Sequence, residues 1–147
     1  MKKGYQILVF LLVLFALNTF AYAHCEIPCG IYDDEMRVKM ISEHINTIEK
    51  SMNQIKALEE GEASHHSNQL VRWIMNKEDH ANQLQEIVTQ YFMTQRIKFD
   101  TKDYDKKLKI LHQMLVYTMK CKQTTDKANV ETLKKLVAEF RDIYFKK

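Results

Sequence analysis

The chain has 147 residues, of which 28% are charged and 46% hydrophobic, and its formal net charge is +3. Lys2 and Lys3 account for two of those charges, so residues 24–147 carry only +1, which argues against the concentrated basic surface that nucleic acids and anionic membranes select. Three glycines and a single proline are too few for a β-sandwich or barrel, whose turns call for such residues roughly every 8–12 positions. A helical body is expected.

Residues 1–23 read as a secretory signal peptide. Lys2 and Lys3 form a positive start, Ile7 to Leu17 is an unbroken apolar stretch, and Ala21-Tyr22-Ala23 is a small-x-small site for signal peptidase. The rival reading is an uncleaved anchor, but a spanning helix needs about 20 apolar residues, and Asn18 and Thr19 interrupt this one. Cleavage after Ala23 leaves 124 of the 147 residues, enough for one domain with a modest core. It also implies an exported protein, periplasmic or secreted, without stable membrane association.

Residues 24–32, His-Cys-Glu-Ile-Pro-Cys-Gly-Ile-Tyr, then open the mature chain. With His24 first, its α-amine, the amide nitrogen of Cys25 and the Cys25 thiolate can close two adjacent chelate rings on one metal ion. Cys29 can return to complete a square plane, because Pro28 fixes φ just before it and Gly30 permits conformations closed to other residues. The His24 imidazole is left above that plane as an axial ligand. Two nitrogens and two sulfurs in a plane select Ni(II) or Cu(II) over tetrahedral zinc. Thiolates and a deprotonated amide are strong donors that stabilise a higher oxidation state, which is what a Ni(II)/Ni(III) cycle in water requires.

Residues 33–147 read as four amphipathic helices. From Asp33, residues Ile41, Ile45, Ile48, Met52 and Ile55 recur in steps of three and four, and the helix should stop near Gly61. A second helix is expected from about Asn68 to Lys98, with Leu70, Ile74, Ala81, Leu84, Val88 and Tyr91 inward and Lys77 interrupting the stripe. After a connection over 99–103, a third helix turns Leu108, Leu111, Leu115 and Met119 inward. Thr124-Thr125-Asp126 supplies its stop and the next N-cap. The fourth helix uses Val130, Leu133, Val137, Phe140 and Tyr144. The expected fold class is all-α, an antiparallel up-down-up-down four-helix bundle preceded by the N-terminal hook.

The nonapeptide resembles the nickel-binding hook of nickel-containing superoxide dismutases, whose pattern is His-Cys-x-x-Pro-Cys-Gly-x-Tyr at the mature terminus. Every fixed position matches. Val71-Arg72-Trp73, Lys77-Glu78 and Gln90-Tyr91-Phe92 extend the resemblance along the second helix. It implies a homohexamer of four-helix bundles holding one nickel ion per subunit and disproportionating superoxide to oxygen and hydrogen peroxide. It makes His24, Cys25 and Cys29 the nickel ligands, with Tyr32 over the open axial side and Tyr91 the second tyrosine of that pocket. Glu26 stands where many relatives have Asp.

One departure concerns the axial imidazole, which relatives can hold through a carboxylate on the first helix paired with an arginine on the second. An ungapped reading puts Met40 and His80 at those places, with Glu43 one turn on as a candidate substitute. Outside the hook, Cys121 reads as a buried apolar side chain, His65 and His66 as a solvated loop, and His44, His80 and His112 as helix-surface or satisfied polar residues. Other readings of the hook are a Cys25–Cys29 disulfide and a non-enzymatic exported nickel or copper binding protein using the same ligands. A purely structural interaction protein would leave the hook unexplained.

Overall fold

The computed structural model describes residues 4, 6, 7, 10, 28–60 and 66–146. Four helices, and no strand, occur among residues 28–146 so described. The first, α1, spans Asp34–Glu59; Asp33 caps it by accepting a hydrogen bond from the Met36 amide at 2.9 Å, and Asp34 and Glu35 place negative charge at the positive end of the helix dipole. Its expected stripe, Ile41, Ile45, Ile48, Met52 and Ile55, is buried throughout.

The second helix, α2, begins at His66, inside the stretch expected to be a loop, and runs to Glu86. It continues as a π-helix over Ile87–Arg96, two residues short of the expected end at Lys98. Five-residue spacing is visible in the Ile97 amide bonding to the Phe92 carbonyl and the Thr94 hydroxyl bonding to the Thr89 carbonyl. The third helix, α3, spans Tyr104–Gln123, and the fourth, α4, spans Lys127–Phe145 with Asp126 accepting from the Ala128 amide at 3.0 Å as its N-cap.

Cross-helix bonds set the topology. Asp34 at the start of α1 bonds both Arg96 at the end of the second helix and Tyr144 near the end of α4, so α1 runs antiparallel to both. Gln85 reaches the Leu115 carbonyl and Lys77 the Lys122 carbonyl, which makes α2 and α3 antiparallel as well. Each helix packs on its sequence neighbours and α4 closes on α1, the expected up-down-up-down bundle. Phe92 sits at the centre of the core, edge-on to Phe140 and Tyr144 with ring centroids 5.0 and 5.5 Å away.

Two expected faces are corrected. On α3 the fully buried seam is Ile110, Leu111, Met114, Thr118 and Cys121, whereas Leu108 and Leu115 flank it and Met119 is 44% exposed. Both stripes are apolar and share Leu111, so periodicity alone does not choose between them. The facing helices do. On α2, Ile74 is exposed and Lys77 is buried. The Lys77 ammonium donates to the Lys122 carbonyl at 2.6 Å, satisfying one of the carbonyls left without an intrahelical partner at the end of α3. Burial, opposed by Glu78, holds the Lys77 amine below its ordinary pKa.

Candidate metal centre

The hook enters the described structure at Pro28, and His24 and Cys25 lie outside the described residues, as does the Ala23 cleavage site. Pro28, Cys29 and Gly30 form a turn closed by the Ile31 amide on the Pro28 carbonyl at 2.8 Å. Gly30 adopts φ 76°, a left-handed conformation that costs glycine little and other residues more. Cys29 is exposed.

Tyr32 follows the turn. Its ring meets that of Tyr91 edge-on, with centroids 5.8 Å apart, and the Arg96 guanidinium lies over the Tyr32 ring at 4.2 Å. The two tyrosines named from sequence are thus brought together. Their states differ: Tyr32 is 40% exposed, whereas Tyr91 is buried and donates its hydroxyl to Asp34 Oδ1 at 2.6 Å. Burial, and after it the Asp34 carboxylate, push the Tyr91 hydroxyl well above its ordinary pKa.

Asp34 anchors this arrangement. Oδ1 accepts from Tyr91 and from Arg96 Nε at 2.8 Å, while Oδ2 accepts from Arg96 Nη2 and from Tyr144, each at 2.8 Å. Four bonds fill the acceptor capacity of a carboxylate. Burial pushes the Asp34 pKa up, but hydrogen bonds from Arg96, Tyr91 and Tyr144 outweigh it and hold the group below its usual value. The π-helical geometry contributes here, because i→i+5 bonding brings Tyr91 and Arg96, five residues apart, onto one side of the helix.

Below the turn, between α1 and the second helix, lies a cavity of about 190 Å³ walled by Pro28, Arg37, Met40, His44, Gln90 and Tyr91 among others. His44 is 7% exposed, its Nδ1 lies 2.9 Å from Nδ1 of His80, and its Nε2 is buried without a partner. Burial first, and the neighbouring His80 second, lower the His44 pKa. Glu43 is exposed and is not part of the cavity wall, so the substitute carboxylate considered from sequence does not face the site. His44 does, one turn beyond Met40, correcting its reading as a surface or satisfied residue.

Among the described residues no group of three or more His, Cys, Asp or Glu side chains is arranged to hold a metal ion, and no helix is long and apolar enough to cross a membrane. Cys121 is buried and its thiol is pushed up to about 11, chiefly by burial; it is an inert core residue. The exposed Cys29 is chemically suited to nickel, which takes thiolate ligands.

Comparison with protein families supplies the remaining observation: the model of the nickel-containing superoxide dismutase family matches residues 19–147, hook and bundle together. The chain belongs to this family. It is a superoxide dismutase, an oxidoreductase whose cofactor is nickel and whose substrate is superoxide. Comparisons with curated proteins and with solved structures return no match.

Sequence reasoning singled out Cys29, Tyr32 and Tyr91 but missed Asp34, Arg96, Tyr144 and the His44–His80 pair. Asp34 carries only the ordinary signal of an acid in a first helical turn, and its partners lie 57 to 110 positions away in sequence. No local pattern could have assembled them.

Proposed function

We propose that this dismutase works at the mature N-terminus exposed by cleavage after Ala23, with the His24 α-amine and imidazole, the Cys25 amide and thiolate and the Cys29 thiolate holding nickel. Bound there, nickel supplies a Ni(II)/Ni(III) couple that takes an electron from one superoxide and gives it to the next. The first superoxide leaves as oxygen, and the second takes up two protons and leaves as hydrogen peroxide. The exposed tyrosine, Tyr32, narrows the approach and orders water that can carry those protons. Tyr91 has its proton committed to Asp34 and serves as the wall that positions Tyr32. Export to periplasm or medium, maturation by signal peptidase and assembly as a homohexamer complete the reading.

The observation that carries it is the family match running through a nonapeptide in which every fixed hook position is present, with Cys29 exposed beside Tyr32 and Tyr91. The test is the amino terminus itself. Mass spectrometry of the active protein should find His24 first, and a form that retains Ala23 should lack nickel-dependent turnover, because an amide replaces the amine ligand. Full activity with Ala23 in place would overturn the chelation scheme.

A further inference from the structure

Tyr32 stands just ahead of the first helix, in residues 31–33 that belong to no helix or turn. It is 40% exposed. Among the described residues its side chain interacts through the ring alone, with Tyr91 edge-on to it and the Arg96 guanidinium over it. A partly exposed aromatic side chain without a hydrogen bond changes rotamer freely unless its neighbours hold it, so those two residues set the direction of Tyr32.

Both neighbours are fixed in turn by Asp34, two positions further along the chain. Tyr91 donates its hydroxyl to Oδ1, and the Arg37 guanidinium lies 5.0 Å over its ring. Arg96 donates through Nε and Nη2 to the two carboxylate oxygens, each at 2.8 Å. This pairing uses one edge of the planar guanidinium and leaves its face for the Tyr32 ring. A lysine ammonium is a point charge and cannot make a two-point ion pair and a stack together. Substituting Arg96 therefore removes one contact to Tyr32 while Tyr91 stays anchored. Tyr144 reaches the same carboxylate from the end of the fourth helix, but its ring meets Phe92, Phe140 and Phe145 and not Tyr32.

Resting on the reading of Tyr32 as the residue that narrows the approach to nickel, we propose that Arg96 is a positioning residue for Tyr32. Clamped on Asp34, it holds the ring in place and so sets how readily small anions, superoxide among them, reach the hook. Its positive charge is offset by the Asp34 carboxylate at 2.8 Å, so its part is to hold the ring rather than to attract the anion. Arg96 touches neither metal nor substrate.

The test compares mature nickel-loaded protein with its Tyr32→Ala, Arg96→Leu, Arg96→Lys and Tyr144→Phe variants. The readings are the fluorine resonance of Tyr32 in fluorotyrosine-labelled protein, identified by its absence from Tyr32→Ala, the inhibition constant for azide, and kcat and KM for superoxide. Tyr32→Ala should strengthen azide inhibition and move KM more than kcat. Arg96→Leu should bring the Tyr32 resonance towards its unfolded position and shift the azide constant in the same direction, by about 2- to 30-fold, the range that a cation over an aromatic ring supplies. Arg96→Lys should regain stability to denaturant but only part of the resonance shift and the azide constant. Tyr144→Phe should lower stability and leave both unchanged. Should circular dichroism find Arg96→Leu unfolded, Arg96→Lys decides: both readings displaced in a stable protein support the assignment, and both at parent values overturn it. If Tyr32→Ala shifts the azide constant and the folded Arg96 variants do not, or if Tyr144→Phe shifts it as far as Arg96→Leu, the assignment of Arg96 is wrong and the reading of Tyr32 stands. If Tyr32→Ala leaves the azide constant and KM unchanged, the reading of Tyr32 falls and this proposal with it.

Discussion

Two polar clusters lie between the first and second helices of this bundle, about 15 Å apart along α1 at 1.5 Å per residue, and they are built on opposite plans. Around Asp34 every acceptor position is filled, by one arginine and two tyrosines drawn from two other elements. Around His44 one nitrogen is bonded and the other is buried without a partner, in a side chain that lines a cavity. A saturated network has nothing left to offer a ligand and can only hold its elements together. An unsaturated one forgoes stability but retains a site. The Asp34 cluster thus clamps the start of α1 to the ends of the π-helix and α4 and fixes the Arg96 and Tyr91 side chains that flank Tyr32, whereas the His44 pair keeps one nitrogen unbonded.

The largest effects should arise where the open side meets the hook. Cys25→Ser and Cys29→Ser are each expected to abolish turnover, since a hydroxyl is too weak a donor to replace a thiolate on nickel, and in Cys29→Ser the fold should be retained because Cys29 is exposed. Cys121→Ser should leave turnover close to that of the parent. An active Cys29→Ser protein beside a folded but inactive Cys121→Ser protein would reverse the assignment of ligand and core cysteine.

The saturated side should respond in stability instead. Asp34→Ala leaves Arg96 and two tyrosine hydroxyls without their acceptor and is expected to cost about 1–3 kcal/mol, the scale for leaving part-buried polar groups unsatisfied. Denaturant melts measure it directly. A loss below about 0.5 kcal/mol would mean that the clamp is ornamental, and a loss of activity in the folded variant as large as that of Cys29→Ser would dissolve the distinction between the two clusters.

Titration gives a smaller and more graded version of the same contrast. Hydrogen bonds lower the folded pKa of Asp34, so its contribution is fully present above the unfolded value near 4 and is lost as pH falls through the lower folded value. Tyr144 is shifted the other way, to about 12, by burial and by Asp34; its contribution is present below about pH 10 and disappears as pH rises from 10 towards 12. Stability measured across pH should fall at both extremes, and both slopes should flatten in Asp34→Ala. Unchanged slopes would place the titrating groups elsewhere.

Chain position determined what could be read early. The hook motif is contiguous, so the family resemblance is legible in nine residues, and the stripe of α1 is legible because only one apolar face is available there. On α3 two apolar stripes share Leu111, and the buried one is selected by what α2 and α4 present to it. Lys77 was legible as an interruption but not as a buried cap on another helix.

By itself, then, the sequence determined a helical bundle and a family, because composition, three-four periodicity and a short contiguous motif are local properties. Only the tertiary structure decided that the second helix loosens to a π-helix beside the hook, that Asp34 collects Arg96, Tyr91 and Tyr144, and that His44 meets His80 across two helices. Those partnerships join residues 36 to 110 positions apart. Their formation depends on how packed helices rotate and where hydrogen-bonding capacity must be satisfied, and no stretch of local sequence contains that information.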